Sequence, residues 1–139
     1  MESSVVQLQN ASVFQGEHLI LSNVNLTIKP GEFYYLIGKT GSGKSSLMKT
    51  LYGDLPLEKG EGTIVGFDLK NLKVNEIPYL RRKIGIVFQD FKLLDDRSVN
   101  KNLEFVLKAT GWKDAYSIEN KINEVLDKVG MKTQGYKMP

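Results

Sequence analysis

Alternating apolar and polar residues near the N-terminus predict two antiparallel strands. Residues 5–14 alternate in part, and residues 19–28 follow the period of two that is typical of half-buried strands. The inward candidates of the first are Val6, Leu8, Ala11 and Val13. A turn at residues 29–32, which contains Pro30 and Gly31, ends the pair.

Two uncharged apolar runs predict buried strands of a different kind. Residues 33–37 read Phe-Tyr-Tyr-Leu-Ile, and residues 84–88 read Ile-Gly-Ile-Val-Phe. Continuous apolar runs of this length are typical of parallel strands that are covered on both faces. A further short strand is expected at residues 63–65, where Gly66 ends it.

Helices are predicted in the second half of the chain. A short helix at residues 77–83 would carry Pro78 in its first turn. Ser98 is expected to cap a helix that runs to about Thr110, and Ser117 to cap another. The apolar stripe of this last helix, which indicates core packing, is Ile118, Ile122, Val125, Leu126 and Val129. The order of elements predicts an α/β fold with a β-rich N-terminal part and a helical addition.

Composition narrows the classes of protein that the chain can represent. Its 139 residues, of which 41% are hydrophobic and 25% charged, suit one domain or part of a larger one. Cysteine is absent, which excludes a disulfide framework. The net charge of +3 is spread among acidic residues without interleaved aromatics, so we expect no nucleic-acid partner. No apolar run is long enough to span a membrane, and the first residues do not resemble a signal peptide, so we expect a cytoplasmic protein.

One motif carries recognisable chemistry. The pattern G-x-x-x-x-G-K-[ST] matches without a mismatch between an expected strand and an expected helix, which is the arrangement of a phosphate-binding loop. The residues expected to bind the phosphates are Gly38, Lys39, Thr40, Gly41, Ser42, Gly43, Lys44, Ser45 and Ser46. Lys44 would neutralise the β- and γ-phosphates, and the Ser45 hydroxyl would ligate Mg²⁺. The alternative is a glycine-rich turn without a ligand.

Several separated segments together resemble the nucleotide-binding subunit of ATP-binding-cassette (ABC) transporters. They are residues 21–32 before the loop, residues 84–89, and residues 89–99 with Asn102 close behind. The last segment is similar to the FtsE-type subfamily of bacterial cell-division ATPases, although lipoprotein-release and macrolide-export ATPases share much of it. The resemblance runs from about Val5 to Pro139.

The resemblance implies a P-loop NTPase core with an N-terminal antiparallel β subdomain, and it implies ATP and Mg²⁺ as cofactors. Residues 1–97 would form the β subdomain and the ATP-binding part of the core, and residues 98–139 the start of a helical subdomain. Phe14 matches the aromatic residue that stacks on adenine, unless it is an ordinary strand aromatic. Gln89 matches the catalytic glutamine that reaches Mg²⁺ and the attacking water, unless it is a solvated loop residue.

The resemblance also implies partners. The loop of residues 89–98 and the following helix match the region that meets a membrane permease, which would be FtsX-like for an FtsE-like protein. Phe91, Leu93 and Leu94 would make the apolar contacts, or they would close the core of the helical subdomain. The full-length parent would form a homodimer at the inner face of the cell membrane.

The sequence departs from the family in its missing motifs. It contains no Leu-Ser-Gly-Gly-Gln signature, no apolar strand ending in Asp-Glu and no switch histidine, since its single histidine, His18, lies in the N-terminal strands. We therefore expect an incomplete domain that binds nucleotide with little or no turnover and that has low stability, self-associates or exchanges strands. Three readings stay open: part of a cell-division ATPase, part of a transport ATPase, or a binding module without hydrolysis. A fourth, a nucleotide or nucleoside kinase, does not suit the antiparallel strands before the loop.

Overall fold

The computed structural model describes residues 4–139, and the chain divides into two compact units, Met1–Gly85 and Ile86–Pro139. The division falls after Gly85, whereas the sequence predicts a boundary after Arg97. Residues 86–97 are therefore grouped with the helices that follow them. The assignment of the two predicted parts to a nucleotide-binding core and a helical subdomain stays a prediction.

The first unit is built on a four-stranded antiparallel sheet. Its strands are β1 (Val6–Gln15), β2 (His18–Ile28), β3 (Lys59–Ile64) and β4 (Phe67–Asp68), in the spatial order β2-β1-β3-β4. The register between β1 and β2 runs from Val6↔Ile28 to Gln15↔His18 and contains irregularities after Leu8. The two antiparallel strands predicted from the N-terminal alternation are confirmed.

Two helices accompany this sheet, α1 (Lys44–Leu51) and α2 (Ile77–Arg82). α2 carries Pro78 in its first turn, where its missing N–H costs no hydrogen bond. One apolar cluster joins these elements, and its buried members are Leu8, Ala11, Val13, Leu47, Leu57, Ile64, Leu69 and Leu80. Three of the four inward candidates of β1 are therefore buried, and Val6 packs half-buried against the same cluster.

The prediction of a buried strand at residues 33–37 is wrong. The segment has no strand structure, and the exposed fractions of Phe33, Tyr35 and Ile37 are 79%, 81% and 87%. An apolar run forms a parallel strand only when neighbouring strands accept and donate its backbone hydrogen bonds. Among residues 4–139, no strand pairs with this segment.

The same correction applies to residues 84–88. This run also has no strand structure, and Val87 is 91% exposed. The sequence predicts a strand here, and the family resemblance implies that its neighbour would be the missing strand that ends in Asp-Glu. Local composition favours the extended conformation, but it cannot supply a ladder partner.

The second unit contains two helices, α3 (Val99–Ala109) and α4 (Ala115–Lys128). Their shared core consists of Ile118, Ile122 and Leu126 of α4, packed against partly buried residues that include Leu103 and Leu107 of α3. Val129, which the sequence places on this stripe, is 67% exposed because α4 has already ended there. None of the helices within residues 4–139 is long and apolar enough to cross a membrane.

The two helix starts differ from each other in how well the sequence predicts them. Ser98 caps α3 as expected, and its hydroxyl accepts a hydrogen bond from the Lys101 N–H. α4 is capped by Asp114 instead of Ser117, because the Asp114 carboxylate accepts the Ser117 N–H at 2.7 Å. A carboxylate is as good a cap as a hydroxyl and also interacts favourably with the helix dipole.

Each of the two helices carries a glutamate between two lysines. Glu104 accepts hydrogen bonds from Lys101 at 2.7 Å and Lys108 at 2.6 Å, which lowers its pKa from 4.5 to about 2. Glu124 has the same arrangement with Lys121 and Lys128, and its pKa is also about 2. Both carboxylates are therefore charged through the mildly acidic range.

We expect these pairs to make the helices of the second unit less stable in acid. A carboxylate whose folded pKa is depressed contributes stability above its ordinary pKa near 4.5, and this contribution is lost as the pH falls towards about 2. The helical circular dichroism signal should melt a few degrees lower at pH 2 than at pH 6, a small change because the pairs are exposed. Glu104→Gln with Glu124→Gln should flatten this dependence, whereas Glu119→Gln, an exposed glutamate of α4, should not. If the melting temperature depends on pH equally in all variants, the ion pairs of Glu104 and Glu124 are not the cause of that dependence.

Candidate functional site

The predicted phosphate loop connects residues 33–37 to α1, and glycines shape it. Gly41 and Gly43 have φ angles of 79° and 91°, in the left-handed region that favours glycine. Gly43 is the N-cap of α1, and a Cβ at this position would lie 2.8 Å from Cγ2 of Ile20 on β2. The loop therefore approaches β2 so closely that only glycine fits there.

Lys44 is the first residue of α1, and its side chain folds back over the loop. Its Nζ donates hydrogen bonds to the carbonyl oxygens of Gly38 at 2.7 Å and Lys39 at 2.8 Å, and to Oγ of Ser42 at 3.3 Å. These contacts hold the ammonium group within the turn of the loop. The loop therefore carries a fixed positive charge at the N-terminus of a helix.

The groups around this charge suit an anion. The first turn of α1 contains no acidic residue, so the positive end of the helix dipole is not neutralised there. Residues 38–46 contain three serines, one threonine and two lysines, but no carboxylate. The donor set therefore fits a polyphosphate, which Lys44 would hold, and the exposed Ser45 hydroxyl is available to ligate its Mg²⁺.

Phe14 lies near the end of β1 in the same unit and is half-buried. It pairs with Leu19 of β2, and the next two residues of β2, Ile20 and Leu21, lie against the backbone of Gly43. The β1–β2 hairpin thus connects Phe14 to the start of α1. Its predicted role in stacking on a base stays a prediction.

Gln89 belongs to the second unit, where it is exposed in a turn. The residues that follow it differ in exposure: Phe91 is 69% exposed, Leu93 is 49% exposed, and Leu94 is half-buried. None of the three belongs to the apolar cluster between α3 and α4. The predicted roles of Gln89 in binding Mg²⁺ and positioning water stay predictions.

Asn102 of α3 fixes the end of this loop, a role that sequence reasoning did not assign to it. Its Oδ1 accepts the Leu94 N–H at 2.8 Å, and its Nδ2 donates to the carbonyl oxygens of Leu94 at 3.0 Å and Arg97 at 3.1 Å. The Asn102 amide therefore supplies the hydrogen-bond partners of these backbone groups and holds residues 94–97 against the start of α3. Its spacing from Ser98 gives no indication of this role.

Comparison with known proteins gives consistent matches. The family model described as "ABC transporter" matches residues 21–138. The cell division ATP-binding protein FtsE of Bacillus subtilis is 42% identical over 119 residues, which cover 86% of this chain and 52% of that protein. The FtsE protein of Streptococcus pneumoniae is 38% identical over 112 residues, or 81% of this chain and 48% of that protein. The methionine import ATP-binding protein MetN of Carboxydothermus hydrogenoformans is 40% identical over 111 residues, covering 80% of this chain and 33% of that protein.

Solved structures of related proteins also match this chain. The dimeric ATP-binding cassette MJ0796, bound to ADP and Pi in a post-hydrolysis state, superposes with a TM-score of 0.82 at 30% identity over 96% of this chain and 61% of that chain. The fold is also shared with cbiO1 from Clostridium perfringens, part of the transporter complex cbiONQ, with a TM-score of 0.84 at 24% identity over 99% of this chain and 55% of that one. The chain spans about half the length of the FtsE proteins it matches. Since the family model covers residues 21–138, this chain belongs to the ABC transporter family and has the incomplete α/β P-loop fold that its sequence predicts.

Proposed function

We propose that this chain binds Mg-ATP as the N-terminal part of an ABC-type ATPase subunit. The observation that carries the proposal is the ammonium group of Lys44, held inside a glycine-shaped loop at the N-terminus of α1. The family match and the ATP-binding relatives support it. The cassette MJ0796, which is bound to ADP and Pi, supports it further.

In this proposal, different residues of the chain bind different parts of Mg-ATP. Lys44 and the loop backbone hold the phosphates, the Ser45 hydroxyl ligates Mg²⁺, and the Phe14 ring stacks on the adenine. Bound Mg²⁺ neutralises part of the phosphate charge. We propose that Gln89 serves the hydrolytic reaction of a full-length parent, in which it would bind Mg²⁺ and orient the attacking water.

Hydrolysis of the bound ATP requires catalytic groups in addition to these binding residues. Phosphoryl transfer to water requires an oriented nucleophile and stabilisation of the charge that develops on the γ-phosphate. The signature, the Asp-Glu pair and the switch histidine of the family are not among these 139 residues. We therefore assign nucleotide binding to this chain, and hydrolysis, with a homodimer around two nucleotides, to a full-length parent.

The proposed partner is a membrane permease, which places the protein at the cytoplasmic face of the membrane. Phe91 and Leu93 extend from a loop that Asn102 holds in place, so they are available as apolar contacts. The FtsE relatives favour an FtsX-like permease and a role in cell division. A transport ATPase is the second candidate, because a methionine-import ATP-binding protein is 40% identical to this chain.

Calorimetric titration with Mg-ATP, combined with a phosphate-release assay on the same samples, tests the proposal. We expect saturable binding at one site and no release above the rate of ATP alone. Phe14→Ala should weaken binding of Mg-ATP but leave binding of inorganic triphosphate largely unchanged, because only the base stacks on the ring.

Two outcomes would contradict parts of the proposal. The absence of ATP binding would mean that these residues do not assemble the site. Release of phosphate at an enzyme-like rate would mean that a catalytic acid or base lies within the 139 residues, so that the assignment of hydrolysis to a longer parent is wrong.

A further inference from the structure

A lysine lies over the ring of Phe14. The ammonium nitrogen of Lys59, the first residue of β3, is 5.2 Å from the centroid of that ring. A cation within about 6 Å of an aromatic centroid is attracted by the negative charge of the ring face. One face of the proposed base-stacking residue is therefore already covered by a positive charge.

An irregularity in the sheet places Lys59 there. The β1–β3 ladder is regular as far as Gln9↔Glu61, and continued regularly it would bring Lys59 opposite Ala11. The register shifts instead, and Lys59 pairs with Ser12. Ser12 and Phe14 are two residues apart on β1 and alternate with buried Ala11 and Val13, so they share the outer face. The shift thus moves Lys59 onto the face that carries Phe14.

The backbone of Gly60 accommodates this shift. Its φ angle is 84°, and a Cβ at this position would collide with the carbonyl oxygen of Asn10 and the Cα of Ala11. Asn10 itself has a positive φ of 47°. A glycine on one strand and a left-handed asparagine on the other therefore form the bulge that directs Lys59 towards Phe14. Bulges of this kind often re-aim side chains next to functional sites.

We propose that Lys59 is a positioning residue for the nucleotide base, an inference that rests on the proposed ATP binding. Its ammonium group holds one face of the Phe14 ring, which fixes the orientation of the ring and leaves the opposite face for adenine. The positive charge also draws electron density from the ring and so favours stacking of an electron-rich base on that opposite face. Lys59 acts through Phe14 and makes no contact with the phosphates.

Binding measurements with two ligands test this role. We would titrate the wild-type chain and the Lys59→Met variant with Mg-ATP and with Mg-tripolyphosphate, which has no base. Lys59→Met should weaken ATP binding about two- to fivefold, the effect of a cation–π contact at an exposed site, and leave tripolyphosphate binding unchanged. Lys59→Arg, which keeps a cation over the ring, should restore ATP binding. Lys70→Met, at another exposed lysine of the first unit, should change neither ligand.

A double substitution separates an effect through the ring from an effect of charge alone. In the Phe14→Ala background, Lys59→Met should cause no further loss of ATP affinity, because the ring through which it acts is gone. Circular dichroism should show the same fold for every variant.

Three results would overturn the inference while leaving ATP binding in place. They are an unchanged ATP affinity in Lys59→Met, an equal loss for tripolyphosphate, and a loss that persists without the Phe14 ring. A wild-type chain that binds neither ligand would overturn the proposed function and this inference with it.

Discussion

Lys44→Ala is expected to weaken the binding of Mg-ATP by at least about 100-fold, below detection in most calorimetric titrations. A hydrogen bond to a charged group contributes about 1.5–3 kcal/mol, and two such bonds from Lys44 to phosphate oxygens correspond to roughly a factor of 100 or more. The substitution also removes the contacts between Nζ and the carbonyl oxygens of Gly38 and Lys39. The loop would thus lose the Lys44 charge when nucleotide is bound and, when it is empty, the group that closes it.

Lys49→Ala is the matched control, because Lys49 lies in the last turn of the same helix. It should bind Mg-ATP as the wild type does. Lys44→Ala should also weaken the binding of inorganic triphosphate, and Lys49→Ala should not, since Lys44 acts on the phosphates and not on the base. If Lys44→Ala binds ATP as tightly as the wild-type chain, residues 38–46 are not the phosphate-binding site.

The second large effect concerns the assembly of the chain in solution. We expect concentration-dependent self-association, because Ile37 and Val87 are 87% and 91% exposed within uncharged apolar runs. Extended apolar segments without a ladder partner pair readily with other chains. The double substitution Ile37→Lys with Val87→Lys should shift the chain towards monomer in sedimentation equilibrium, because a charge disfavours such pairing.

Val74→Lys provides the control, since Val74 is 85% exposed but does not belong to an apolar run. It should leave the association constant unchanged. A wild-type chain that is monomeric at all concentrations, with one sharp and reversible unfolding transition at high temperature, would contradict this expectation.

Local patterns predict the elements whose partners are close in sequence. β1 and β2 pair across a tight turn, so their alternation fixes both the strands and the face that contains Leu8 and Val13. The phosphate loop is similarly local, because its glycines, Lys44 and the start of α1 lie within a few residues. These parts could be predicted from the sequence alone.

The remaining features depend on relations that a local pattern does not contain. Residues 33–37 have the composition of a strand, but strand formation depends on a neighbour that the pattern cannot provide. The position of Lys59 depends on a register shift between β1 and β3, which are about fifty residues apart in the chain. At α4, two good capping residues compete within four positions, and only the structure shows that Asp114 prevails over Ser117.

The order of the strands has a consequence for synthesis of the chain. The four strands described within residues 4–139 all end by Asp68, so they are synthesised long before α3 and α4. At translation rates of about 5–20 residues per second, these residues are added within roughly 3 to 14 seconds. Residues 33–37 lie between β2 and β3 in the chain and remain outside this sheet. A nascent chain therefore presents an uncharged apolar stretch beside the ribosome, where a chaperone that recognises short exposed segments can shield it.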